Sequence, residues 1–128
     1  MIRKKTINRI SDIRGFVFEP LDGDHLVRQK NVHVVLSRPG AVRGNHYHKV
    51  GTEVLAVCGP ALVKIKKGSQ AEAFTVAADT ICQLEIPPMV SHAIQNTGKT
   101  DSLLIAFNTQ SHDPDHPDTV PDVLIDCS

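Results

Sequence analysis

The sequence has no Trp, a single Tyr and only three Cys among 128 residues. Cys58, Cys82 and Cys127 are widely spaced and form no C-x-x-C pair, which excludes a zinc ribbon or a dithiol redox motif and suits reduced thiols, Cys58 and Cys82 being expected as small buried hydrophobes. Net charge is also missing. Lys+Arg 14 cancels Asp+Glu 14, so there is no electrostatic footprint for a nucleic-acid backbone. No run approaches the roughly 20 apolar residues that span a bilayer, and the basic first residues, Met1 to Ile10, lack the apolar core of a signal peptide. A cytoplasmic location is therefore expected, with neither membrane nor nucleic acid as partner. Nor does any segment keep a 3.6-residue apolar period for three turns, so helix content should be low.

What is present is a series of short β-favouring runs: Phe16–Phe18, Val32–Ser37, Glu53–Cys58, Ala61–Lys66, Ala73–Val76, Ile81–Ile86, Ala93–Gln95 and Leu103–Phe107. Arg38-Pro39-Gly40, Gly59-Pro60, Lys67-Gly68-Ser69, Pro87-Pro88 and Asn96-Thr97-Gly98 separate them with turn chemistry. Alternation is cleanest in Leu62-Val63-Lys64-Ile65-Lys66, and the whole predicts an all-β sandwich or barrel of one domain, residues 1–128. Between His112 and Asp122, Pro recurs every few residues. That stretch can be neither helix nor central strand and should lie extended on the surface.

Seven His stand out against this background. His46 and His48, two apart on an extended segment, leave the same face while Tyr47 leaves the other. Glu53 follows a turn at Gly51, and His92 follows Pro87-Pro88, whence it can reach the same point from a facing strand. An H-x-H pair is expected by chance about 0.4 times in such a composition, but adding Glu at this offset lowers that to about 0.01. Two imidazoles, a carboxylate and a third imidazole form an N/O donor set suited to zinc, iron, manganese, nickel or cobalt, with positions left open. His25 and His33 read as an ordinary loop and strand residue, and His112 and His116 as solvated loop residues.

These residues resemble the cupin superfamily. Gly40-(x5)-His46-x-His48-(x4)-Glu53-(x5)-Gly59 is similar to its first motif, and Pro87-(x4)-His92-(x3)-Asn96 to its second, with Met89 where a Gly is usual. The resemblance implies a double-stranded β-helix, or jelly-roll barrel, in which His46, His48, Glu53 and His92 bind one divalent transition metal, zinc foremost. A narrower resemblance rests on Asp12-x-Arg14-Gly15-Phe16-x-x-Glu19, Arg43-Gly44-Asn45-His46-Tyr47-His48, Asn108 and Asp113-Pro114-Asp115-His116-Pro117-Asp118-Thr119. These look like the C-terminal cupin domain of bifunctional capsular-polysaccharide enzymes, which epimerise nucleotide-linked 4-keto-6-deoxy sugars. More distantly they are similar to dTDP-4-keto-6-deoxyglucose 3,5-epimerases, where the position of His46 holds a catalytic base.

A ring nitrogen that gives its lone pair to a metal cannot take a proton with it, so His46 has one of two jobs. The expected activity is metal-dependent isomerisation or epimerisation next to the ketone of a nucleotide-linked 4-keto-6-deoxy sugar in polysaccharide biosynthesis. His46, His92 and Arg43 are the catalytic candidates, Arg43 and then Arg14 for the diphosphate, and the base is left open between an unligated His such as His33 or His116 and metal-bound hydroxide. An iron cupin dioxygenase and a non-catalytic sugar-binding cupin are the alternatives. A homodimer is expected, because the basic, β-favouring N-terminus and an exposed sheet edge favour pairing between chains.

Overall fold

The computed structural model describes residues 1–127. Its strands are β1 (Arg3–Ile7), β2 (Ile10–Asp12), β3 (Gly15–Val17), β4 (Asn31–Ser37), β5 (Val42–His48), β6 (Glu53–Cys58), β7 (Ala61–Lys67), β8 (Gln70–Val76), β9 (Ile81–Ile86), β10 (Ser91–Asn96), β11 (Ser102–Asn108) and β12 (Thr119–Pro121). A single helical turn, α1 (Gly23–Leu26), lies between β3 and β4. One sheet runs β1-β9-β6-β11-β4, the other β12-β5-β10-β7-β8, and β2 and β3 form a separate hairpin. All pairings are antiparallel. No helix among the described residues is long and apolar enough to cross a membrane.

Alternation decides which side chains fill the space between the sheets. In β7, Ala61, Val63 and Ile65 are buried while Leu62 and Lys64 are only partly so and Lys66 is exposed. Leu55 and Val57 of β6, Leu84 and Ile86 of β9 and Leu104 of β11 meet them from the opposite sheet in one aliphatic core. A fully buried Val, Leu or Ile contributes about 1.5–3 kcal/mol, so this core needs no large aromatic. At Lys67-Gly68 the expected turn forms, with Gly68 at φ +59°, and β7 and β8 make the hairpin.

Three expectations need correction. Cys58 and Cys82 are half-buried rather than fully buried, Cys82 packing against the core from β9, between β1 and β6. The Pro-rich stretch is not wholly irregular: Thr119–Pro121 pairs with β5 as an edge strand, where Pro121 ends the ladder and lacks no bond it needed. His25 is no ordinary loop residue. Asp22 caps α1 by accepting from His25 N at 2.8 Å, and the His25 ring then sits between two carboxylates, Nδ1 at 2.9 Å from Asp22 and Nε2 at 3.1 Å from Glu85 of β9. With Gln83 donating to Pro20 O, this pins segment 20–29 over the outer face of β6 and β9, where Val54 and Ala56 are also buried.

The hydrogen bonds to Glu85 and Asp22 raise the His25 pKa above its ordinary value despite partial burial. A raised folded-state pKa adds stability below the unfolded value of about 6.5 and loses it as pH rises through the folded one. His25→Gln should therefore cost about 1 kcal/mol at pH near 6 and markedly less at pH near 9. Urea unfolding at the two pH values measures this; an equal loss at both would show that the ring acts by packing alone.

Candidate metal centre

His46 and His48 lie at the end of β5, and His92 lies on β10, the neighbouring strand of the same sheet, directly opposite His46 in the ladder. The facing sheet supplies Glu53, the first residue of β6. The expectation that His92 would come from a facing strand is thus corrected: the three imidazoles share one sheet and the carboxylate crosses the sandwich to meet them.

A β-bulge arranges the imidazoles. His46 pairs with His92, but Gly44 pairs with Ala93, so Asn45 is an extra residue in β5. Gly44 and Asn45 have φ of +88° and +57°, conformations that Gly adopts freely and Asn tolerates. A Cβ at Gly44 would also stand 2.7 Å from His92 O, so the close approach of β10 requires glycine there. The extra residue shifts the in–out alternation, which brings Arg43 onto the cavity face with His46 and His48. Asn45 is itself held by the C-terminal tail: its Oδ1 accepts from Leu124 N and Ile125 N at 2.9 and 3.1 Å, and its Nδ2 donates to Ile125 O at 2.9 Å.

One ligand atom from each of His46, His48, Glu53 and His92 lies within 4.8 Å of the others. Glu53 bridges two rings, Oε2 at 2.9 Å from His48 Nε2 and Oε1 at 3.0 Å from His92 Nε2. His92 has no exposed surface, and His48 and Glu53 are nearly as buried. Burial, with the neighbouring His92 adding to it, lowers the His46 pKa to about 4 and keeps that ring neutral. Burial would raise the Glu53 pKa, but the hydrogen bond from His48, together with the His92 ring beside it, outweighs it and holds the carboxyl well below its usual range. For His48, burial acts downward, and the hydrogen bond to Glu53 overcomes it and raises the pKa.

The fit of a metal rests on one atom. His92 Nδ1 lies 3.2 Å from Val90 O, the geometry of a donor, which leaves Nε2 as the atom carrying the lone pair. That Nε2 is buried without a properly aligned hydrogen bond although Glu53 Oε1 is 3.0 Å away. Two lone-pair atoms facing each other at that distance, away from water, call for a cation between them. The four ligand atoms, none more than 4.8 Å from another, would need only a small adjustment to hold one transition-metal ion at bonds of about 2.1 Å.

The four residues line a cavity of about 350 Å³ between the sheets, with Leu55, Ile94, Leu104 and Ala106 as its apolar wall. Arg43 reaches across its edge, Nε to Ser37 Oγ at 3.2 Å and one terminal nitrogen to Leu36 O at 2.7 Å. Tyr47 lies outside the lining, as its place in the alternation requires. Arg14 is not there either. It sits at the β2–β3 turn, bound to Asp12 at 2.6 Å, and its side chain is 86% exposed. His33, one of the open candidates for the base, and His112, read as a solvated loop residue, both line the cavity with ring centroids 6.1 Å apart, whereas His116, the other candidate, does not. Asn108 and Asp118 also reach the site. Their spacing carries no ligand pattern, and only the fold brings them beside His48.

The profile of the family described as "Polysaccharide biosynthesis C-terminal domain" matches residues 10–120. The chain is 27% identical over 127 residues to the spore coat polysaccharide biosynthesis protein SpsL of Bacillus subtilis strain 168, covering 91% of this chain and 84% of SpsL. Among solved structures, the capsular polysaccharide assembling protein CapF of Staphylococcus aureus superposes with a TM-score of 0.68 at 26% identity over 92% of this chain. The chain spans only 33% of CapF's length. QdtA, a 3,4-ketoisomerase of Thermoanaerobacterium thermosaccharolyticum solved in complex with TDP-4-keto-6-deoxyglucose, gives a TM-score of 0.71 at 18% identity, covering 94% of this chain and 87% of QdtA. The fold is the cupin type.

Met89, where cupins usually carry Gly, adopts φ +70° and donates its N–H to His48 O at 2.7 Å. A non-glycine residue in this region costs about 1–2 kcal/mol, partly offset because Gly would loosen the unfolded chain. Met89 is half exposed, so little packing is lost on truncation. Met89→Gly should raise stability by about 0.5–1 kcal/mol in urea unfolding; a loss of stability would show that the side chain is held by contacts that outweigh the strain.

Proposed function

The chain belongs to the polysaccharide biosynthesis C-terminal domain family, and from that premise we propose that it is a metal-dependent isomerase or epimerase acting beside the ketone of a nucleotide-linked 4-keto-6-deoxy sugar. The observation that carries the reading is the buried cluster of three imidazoles and a carboxylate in the cavity wall, with a guanidinium at the cavity edge. The ligand seen in QdtA, TDP-4-keto-6-deoxyglucose, and the polysaccharide roles named for SpsL and CapF support the substrate class.

A carbon next to a ketone loses a proton more readily because the charge spreads onto oxygen as an enolate, so the site needs positive charge at that oxygen and a base at the carbon. A divalent transition metal held by His46, His48, Glu53 and His92, zinc foremost with iron, manganese or nickel also suited, supplies Lewis acidity when bound. In this reading all four serve as ligands, and His46 is not the base. His92, fully buried, has no surface on which to meet a substrate proton. The proton passes instead to an imidazole outside the cluster, His33 being placed for this on the cavity wall with His112 beside it. Arg43 holds Leu36 O and Ser37 Oγ with two of its five N–H groups and offers the rest to the diphosphate.

In deuterium oxide, a UDP- or dTDP-4-keto-6-deoxyhexose should gain about one deuteron at C3, read as a one-unit mass increase. Chelation should abolish the exchange, and His92→Ala or His33→Asn should slow it by a factor on the order of 10². Elemental analysis should find about one transition metal per chain; less than about 0.2 equivalents after reloading would overturn the metal. Absence of exchange in metal-replete protein overturns the isomerase. Oxygen uptake with Fe(II) would then support a dioxygenase, and binding without turnover a sugar sensor.

The same proposal extends to a homodimer. The β2–β3 hairpin bonds to neither main sheet and leaves Ile10, Ile13, Phe16 and Val17 exposed, and the unpaired edge strand β4 exposes Val32, Val34 and Leu36. A lone two-stranded hairpin is marginal in water, and a long apolar edge without Pro or Lys invites pairing. A second copy covers both, and Arg14, remote from its own cavity, lies on that hairpin. Light scattering at micromolar concentration should give twice the mass of one chain, and a monomer mass overturns the dimer.

A further inference from the structure

Asp118 closes the Pro-rich segment, and the turn between β5 and β6 grips it with three consecutive backbone amides. Lys49 N donates to Asp118 O at 2.9 Å, Val50 N to Oδ1 at 3.0 Å and Gly51 N to Oδ2 at 2.9 Å. The carboxylate therefore cannot rotate freely, and its Oδ2 is held 3.6 Å from His48 Nδ1, the ring nitrogen that points away from Glu53. This is beyond hydrogen-bond distance, and what acts there is the coulombic attraction between a full negative charge and an N–H.

Asn108 competes for the same nitrogen. Its Oδ1 is occupied by Gln110 N at 2.8 Å, which turns its amide nitrogen toward His48 Nδ1 at 3.5 Å. A donor there favours a bare Nδ1 and a proton on Nε2, whereas the carboxylate favours the proton on Nδ1 and a lone pair on Nε2. Glu53 Oε2, 2.9 Å from Nε2, draws the proton to that atom unless a cation takes its place; with Nε2 committed to a cation the proton belongs on Nδ1, where the full charge of Asp118 outweighs the amide dipole of Asn108. Gly51 makes the arrangement possible: a Cβ at that position would collide with Asn108 Oδ1 and stand 3.0 Å from Asp118 Oδ2. No positive φ requires glycine at this position, so the need is for space beside these two side chains.

We propose that Asp118 is a positioning residue for the centre, holding His48 as the Nδ1–H tautomer so that its Nε2 lone pair faces Glu53, His46 and His92. This rests on the reading of those four residues as metal ligands. Ligating imidazoles are commonly oriented by a carboxylate on the far ring nitrogen, and removing it typically weakens metal binding by 10–100-fold.

Zn²⁺ alone, competed against a chromophoric chelator, is the probe. Asp118→Asn keeps the size and one acceptor for the turn, and it should lower Zn²⁺ affinity by about 10–100-fold. In a His48→Ala background the same change should cost nothing further, since the ring it orients is gone. Affinity within about twofold of wild type, or an equal loss in the His48→Ala background, overturns the proposal while leaving the metal reading intact. Failure of the wild type to bind Zn²⁺ overturns both. Should Asp118→Asn not fold, Gly51→Ala, which displaces Asn108 and Asp118 from the ring, carries the test by the same criteria.

Discussion

A carboxylate buried between two imidazoles is the interaction on which the rest depends. Glu53 comes from one sheet and His46, His48 and His92 from the other, so the cluster exists only if the two sheets keep the spacing that their aliphatic core sets. Sheets packed face to face stand about 10 Å apart, and a Glu reaching inward meets a His reaching inward at about half that depth. Leaving either partner unanswered is costly: an isolated ionised carboxylate in this environment would lose several kcal/mol of solvation. Hence the core and the site are not separable designs. Leu55 is two residues after Glu53 on the same face of β6, and it serves both as cavity wall and as core.

The bulge at Gly44-Asn45 solves a second problem. A regular strand would put residues 44, 46 and 48 inside and Arg43 outside. One inserted residue keeps the two His inward and adds the guanidinium to the same cavity. The insertion leaves unpaired main-chain groups, and the C-terminal tail meets them: Asp122 N donates to Asn45 O at 2.8 Å while Leu124 and Ile125 bind the Asn45 side chain. The tail is thus part of what holds His46 opposite His92.

Much of this was legible in the residues themselves. Period-2 patterns such as Leu62 to Lys66 report burial directly, and the four residues that the fold brings together, His46, His48, Glu53 and His92, were picked out from H-x-H, the Glu offset and the second motif. Legibility failed where a role depends on contacts distant in the chain. His25 looks unremarkable until Glu85, sixty residues on, stands beside it. Asp118 stands in a motif that carries the family resemblance but no role, and only the ladder of β12 on β5 brings it to the turn after His48. The direction from which His92 arrives was misread because spacing gives the face of a strand and not its neighbour in a sheet. Arg14 illustrates the opposite failure: a motif resemblance attached it to the diphosphate, yet the hairpin carries it away from the cavity of its own chain.

Backbone strain follows the same geography. Among the described residues three non-glycine residues have positive φ, and two of them flank the cluster: Asn45 immediately precedes His46, and Met89 lies three residues before His92 with its N–H on His48 O. Each such conformation costs of the order of 1–3 kcal/mol and persists only where surrounding contacts over-determine it. Here those contacts are identifiable, the tail on Asn45 and the strand-end carbonyl on Met89. A ladder free of strain would pair β5 and β10 in even register and turn Arg43 outward. The positive-φ residues are therefore the local cost of presenting three imidazoles and a guanidinium to one cavity from two adjacent strands.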